Sequence, residues 1–215
     1  RNLQDHLYVP VSYDCAEPIT LDTAETLTNF GKYKALGDGP LTSNVGEGGA
    51  FLKTPLAADR PDVQFHFAPA YFIEHGFREL DHDHGFSLVS LQLRPESRGF
   101  IELDSTDPRD HPHIDPQYLS AEGDIDVQVE GLKMAREVMQ ADPFEEYRIE
   151  ERLPGPDVQS DDELAEHVRQ YGETLYHPVG TCKMGTDEMA VVNERLRVHG
   201  IDGLRVVDAP VMPTV

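Results

Sequence analysis

Two apolar runs set close together, "FSLVSLQL" (86–93) and "RGFIELD" (98–104), constrain this chain most. Parallel neighbours need a crossover of about a dozen residues, so runs this close predict an antiparallel hairpin. Arg94 and Arg98 bracket its turn and read as structural, pairing acidic neighbours. "LYVPVSY" (7–13) and "VQFHFAPA" (63–70) add strands, and Pro10 marks the first as an edge.

Helical spacing appears three times. In "DTAETLTNFGKYKAL" (22–36), Thr20 or Asp22 is placed to cap. Over Asp124–Gln140 a single stripe carries Ile125, Val129, Leu132, Ala135 and Met139. "SDDELAEHVRQY" (160–171) opens with a capping box of Ser160 and Glu163. Between these lie a glycine-rich stretch, "GDGPLTSNVGEGGAF" (37–51), and a proline-broken loop at 105–119. An irregular run as long as the first is often functional. Near the end, "RLRVHG" (195–200) precedes "GLRVVDA" (203–209), which reads as a short apolar strand ending in an aspartate. The pattern predicts an α+β fold, a mostly antiparallel sheet flanked by helices.

At 215 residues and 39% hydrophobic content the chain can bury a core. Its 40 acidic and 18 basic residues give a formal charge of −22, which argues against nucleic acid or anionic lipid as a partner. Only five of the basic residues are lysine, a composition resembling that of halophilic proteins, where salt screens self-repulsion. No run is long enough to span a bilayer, and the opening residues do not resemble a signal peptide. The first residue is arginine, which points to a start upstream. Cys15 and Cys182 lie far apart without metal-ligand spacing, as expected in a reducing cytoplasm. His75, His82 and His84, and likewise His111 and His113, cluster among carboxylates. Neither cluster has a zinc-ligand spacing, so solvated loops are expected and no metal is assigned.

The segment "TLYHPVGTCKMG" (174–185) holds one histidine in a constrained place. Pro178 disfavours the helical region for His177, and Gly180 permits a close backbone approach. Taken alone, an imidazole beside a proline is more often structural than catalytic.

Longer motifs surround it. "NLQDH" (2–6), "GPLTSNVGEGGAFL" (39–52), "RPESRGFIELDSTDP" (94–108) with "HPHIDPQYL" (111–119), and "YHPVGTCKMG" (176–185) running to "VHGIDGLRVVDAPVMPT" (198–214) follow one another in order. Together they resemble the glucose–methanol–choline family of flavin-dependent oxidoreductases, particularly its choline-dehydrogenase-like branch. The resemblance covers the later part of such an enzyme. The family's amino-terminal Gly-x-Gly-x-x-Gly turn is not found, since "GEGGAF" neither follows a strand nor has the spacing. A later segment carrying a second active-site His or Asn is also absent from these residues. The resemblance thus implies a substrate-binding domain over residues 1–175. Residues 176–215 would carry the catalytic histidine and return to the FAD-binding fold. That FAD-binding domain would belong to the same parent chain or to a separate polypeptide.

Family chemistry moves a hydride from an alcohol carbon to FAD while a base takes the hydroxyl proton, a task suited to a neutral imidazole. By resemblance His177 is that base, with Val179 and Gly180 near the flavin ring. Asp208, Ala209, Pro213 and Thr214 are the implied flavin contacts; from the residues alone, Asp208 reads equally as a turn aspartate. Glu47 is the implied partner of a cationic alcohol, and His66 a substrate-facing residue or a buried strand histidine. Choline, other primary alcohols, sugars and polyols all remain open as the small-molecule substrate. A different reading is a truncated or isolated module that binds a small polar ligand without flavin, or one chain of a split enzyme.

Overall fold

The computed structural model describes residues 1–77 and 84–215. They form two compact units, one made of Arg1–Leu7, Leu93–Ile125 and Thr174–Val215, the other of Tyr8–Gln92 and Asp126–Glu173. The chain therefore passes between units four times, and the boundary expected at 175/176 lies two residues beyond the last passage.

The second unit is built on a sheet. Its strands are β1 (Leu7–Cys15), β2 (Gly48–Leu52), β3 (Val63–Ala68), β4 (Gly85–Gln92) and β7 (Arg148–Leu153), with the two-residue β8 (Glu173–Thr174) also pairing with β1 and with β5 and β6 elsewhere in the chain. Their order is β2–β3–β4–β1–β7, antiparallel at each of these pairings. Helix α2 (Glu122–Met139) buries Val129, Leu132, Ala135 and Met139, the stripe its sequence predicts, while Ile125 is half-buried. It packs closely: a Cβ on Gly131 would stand 2.3 Å from Ser90 Oγ and 3.4 Å from Val63 Cγ1. Helix α3 (Asp161–Tyr171) begins with the expected capping box of Ser160 and Glu163 and buries Leu164 and Val168. The fold is α+β with an antiparallel sheet and flanking helices.

Several local expectations are corrected. Strand β4 does not form a hairpin with the run that follows it. Both of its edges are filled by β1 and β3, whereas Ile101 lies in β5 (Phe100–Glu102), which pairs with β6 (His113–Asp115) in the first unit. The connection is held instead by Asp124, whose carboxylate accepts from Glu96 N–H, Ser97 N–H and Ser97 Oγ at 2.8, 2.9 and 2.5 Å. Arg98 donates to the carbonyls of Pro95 and Ser97 rather than to an acid. Strand β1 is interior rather than an edge. Its ladder to β7 covers only residues 12–15, so the missing N–H of Pro10 leaves no gap there.

The first helix, α1 (Leu27–Leu36), starts five residues later than predicted, because Thr26 is its cap. Thr20 and Asp22 bind each other, and Asp22 accepts from the N–H groups of Tyr71 and Gly85. The glycine-rich stretch ends as edge strand β2, where a Cβ on Gly49 would stand 2.9 Å from Phe65 O. Residues 203–209 make no strand: Arg205 forms one isolated bridge to Arg197, and Val207 is exposed.

Candidate functional site

The amino-terminal strip and the His177 segment share the first unit. Gln4 and Val179 exchange backbone hydrogen bonds at 2.8 and 3.0 Å, so residues 2–6 run beside 177–180. Gly180 lies so near Asn2 that a Cβ would stand 2.2 Å from its carbonyl oxygen, and its φ of +91° suits glycine. Asn2 Nδ2 donates to the carbonyls of Gly180 (3.1 Å) and Pro213 (3.2 Å), and Gln4 Nε2 also donates to Pro213 O (3.0 Å). Two amide side chains therefore tie the histidine segment to the tail.

His177 itself is held at two points. Its backbone N–H donates to Asp5 Oδ1 at 2.8 Å, and its Nδ1 lies 3.2 Å from His6 Nδ1. The Asp5 carboxylate is buried and accepts at Oδ2 from Thr174 Oγ1 (2.5 Å) and from the Tyr118 hydroxyl. Burial and this contact push the Tyr118 phenol well above its ordinary value, so it remains a donor. Tyr176 turns the chain just before His177 with φ of +62°, a left-handed conformation costing a non-glycine residue about 1–3 kcal/mol. Its N–H donates to Thr174 Oγ1, which anchors that turn.

His6, His177, Val179, Asp208, Ala209 and Thr214 line a cavity of about 570 Å³, with Pro210 and Met212 adding apolar surface. Asp208 Oδ1 accepts from Ala209 N–H at 2.8 Å and starts a single helical turn over Ala209–Val211. Backbone hydrogen bonds from Cys182 to Pro210 and from Met184 to Val211 fix that turn against the segment after His177. His177, Val179, Asp208, Ala209 and Thr214 thus share one cavity, and Gly180 and Pro213 join through Asn2.

Glu47 and His66 belong to the second unit. Glu47 lines a cavity of about 370 Å³ with Phe67, Phe86, Phe144, Tyr147 and Cys15, and accepts from Ser43 Oγ at 2.6 Å. The rings of Phe67, Phe86 and Phe144 form a cluster with centroids 5.7–6.2 Å apart. His66 neighbours Phe67 on β3, and strand alternation turns its side chain to the other face of the sheet. Among the described residues, His66 is not part of the lining of the cavity to which Glu47 belongs.

Among the described residues, no group of three His, Cys, Asp or Glu side chains is placed to hold a metal ion. His84 hydrogen-bonds Thr20 Oγ1, and His82 lies outside the described residues. No described helix is long and apolar enough to cross a membrane. Asn2, Gln4, Asp5, His6 and Tyr118 carry positioning roles that sequence reading did not assign, although four of them sit within "NLQDH". A motif shared as a block was the available signal.

A family model for GMC oxidoreductase matches residues 95–215. Over its whole length the chain is 41% identical to an oxygen-dependent choline dehydrogenase of Pseudomonas savastanoi pv. phaseolicola, covering 38% of that protein. It is likewise 41% identical to an alcohol dehydrogenase [acceptor] of Pseudomonas putida, covering 40%. Among solved structures, pyridoxine 4-oxidase from Mesorbium loti aligns with all of this chain and 39% of its own, at 28% identity and TM-score 0.82. Formate oxidase from Aspergillus oryzae, at 24% identity and TM-score 0.90 over 43% of its chain, shares the fold. The chain spans about two fifths of the length of the curated relatives named here. The match over residues 95–215, carried by a fold that places "NLQDH" beside "YHPVG", makes the chain a member of the glucose–methanol–choline (GMC) oxidoreductase family.

Proposed function

We propose that this chain forms the substrate-binding and catalytic-histidine portion of an FAD-dependent enzyme that oxidises a choline-like or other primary alcohol. The carrying observation is the placement of His177 on the wall of the 570 Å³ cavity, fixed through both its backbone and its ring. FAD, when bound, supplies the two-electron acceptor for the alcohol carbon. His177 accepts the hydroxyl proton, and a neutral imidazole suits this because its ordinary pKa lies near working pH. Asp208 offers carboxylate oxygen to a cofactor hydroxyl, while Val179 and Gly180 present backbone and small apolar surface to a ring. Glu47, with three phenylalanine rings beside it, provides charge and ring faces for a quaternary ammonium group. His66 is assigned to the substrate side as well. The FAD-binding fold comes from residues outside those described, in the same polypeptide or another.

In the intact flavoenzyme, His177→Ala is expected to lower kcat about 10²–10⁴-fold, the usual contribution of general base catalysis. A visible-absorption titration with FAD should show affinity changed by less than about threefold, since the substitution removes none of the proposed FAD contacts. Unchanged turnover would remove His177 from the base role. Turnover lost in parallel with FAD binding would make His177 a cofactor contact.

A further inference from the structure

The ring nitrogens of His6 have unequal partners. Nε2 lies 3.1 Å from the carbonyl oxygen of Leu93, and Nδ1 lies 3.2 Å from Nδ1 of His177. A carbonyl oxygen can only accept, so the proton of a neutral His6 ring must sit on Nε2. Nδ1 of His6 is then a lone pair, and the hydrogen bond to His177 requires the proton to come from His177 Nδ1. The rings meet edge to face, with centroids 5.4 Å apart and planes at 75°, as suits a ring N–H directed at a neighbouring lone pair. Once its single proton is committed to Nδ1, a neutral His177 carries its lone pair on Nε2.

We infer that His6 is a positioning residue that selects the Nδ1–H tautomer of His177 and so leaves Nε2 as the nitrogen able to accept a proton. This inference deepens the reading of His177 as the base and rests on it for its catalytic consequence. The relay runs from Leu93 O through His6 to His177. Asp5 acts separately, holding the backbone of His177 rather than its ring. An isolated imidazole prefers the Nε2–H form, which would place the proton on the nitrogen that must receive one. In a serine-protease triad, forcing the catalytic imidazole into the wrong tautomer costs about 10⁴ in kcat.

The test is a long-range ¹H–¹⁵N correlation spectrum of the intact protein labelled with ¹⁵N-histidine, at a pH where the rings are neutral. His177 is expected to show a protonated Nδ1 and an unprotonated Nε2. His6→Phe keeps an aromatic ring and removes the acceptor, so the His177 pattern should reverse and kcat should fall by at least about tenfold. KM and FAD affinity should both stay within about twofold in this variant. His6→Asn, which offers an amide oxygen near the former Nδ1, should restore the Nδ1–H pattern and most of kcat.

An Nε2–H pattern in the unsubstituted protein would overturn the inference, and that spectrum decides even if a variant fails to fold. Equal losses in the Phe and Asn variants, with the His177 tautomer unchanged, would also overturn it. If the Nδ1–H pattern is found while His177→Ala retains full turnover, the base reading fails and the role of His6 in setting the tautomer stands.

Discussion

At the scale of single residues, two histidines show how surroundings decide what an imidazole does. His177 is exposed on a cavity wall, with its Nδ1 facing His6. His167, on α3, is buried, and burial pushes its pKa down to about 4, partly opposed by a hydrogen bond to the Pro10 carbonyl. The folded-state value lies below the ordinary 6.5, so the unfolded chain binds the extra proton first. The stability involved is fully present above about pH 6.5 and is lost as pH falls toward 4. Its total is on the order of 3 kcal/mol. Urea midpoints at pH 7 and pH 4.5 should therefore fall further apart in the unsubstituted protein than in His167→Gln. Equal shifts would show that other groups carry the acid sensitivity. The helical period of residues 160–171 predicted the helix that buries His167, but a period cannot reveal how dry a position becomes.

At the scale of elements, α2 and β7 are joined by a nearly buried ion pair. Glu151 accepts from Arg136 Nη2 at 2.6 Å and Nε at 3.0 Å, and from Gly155 N–H and the Tyr13 hydroxyl. Burial and the carboxylate push Tyr13 up to about 12, so it stays a donor throughout the working range. Arg136→Met is expected to destabilise the protein by about 3–5 kcal/mol in urea unfolding, because the Glu151 carboxylate would stay buried without its cation. Adding Glu151→Leu should recover part of that loss, since a buried pair replaced by apolar groups is often neutral. The stripe on α2 was legible in the sequence, as was the capping box of α3. The partner of β4 was not, because an apolar run announces a strand and says nothing about which edges are already taken. Helix α1 shows the same limit: Thr20 and Asp22 read as caps but serve Tyr71, Gly85 and His84, which lie far along the chain.

For the whole molecule the dominant fact is charge. A formal −22 over 215 residues makes the folded chain repel itself, and repulsion between exposed groups is screened within about 10 Å at 0.1 M salt and 3 Å at 1 M. Raising KCl from about 0.1 M to about 2 M should increase Tm by several degrees, with most of the gain below about 1 M where screening changes fastest. A flat or falling Tm would mean that local ion pairs such as Arg136–Glu151 outweigh the general repulsion. This expectation needs only composition, so it was available before any fold was known.

The sequence by itself determined the fold class, the buried stripe of α2, the capping box of α3, the family, and the need for glycine at position 180. Each of these depends on periodicity, composition or a motif contiguous in the chain. Tertiary structure decided where β4 pairs, that Phe100–Glu102 joins another ladder, and that His177, Asp208 and Thr214 line one cavity. It also decided what "NLQDH" does, setting Asp5 under the backbone and His6 against the ring of His177, 171 residues away from His6. The physical reason is the same throughout. Local torsions and hydrophobic period act over a few residues, whereas the donor for a carboxylate or the acceptor for a ring nitrogen is supplied by whichever distant segment folding brings into reach.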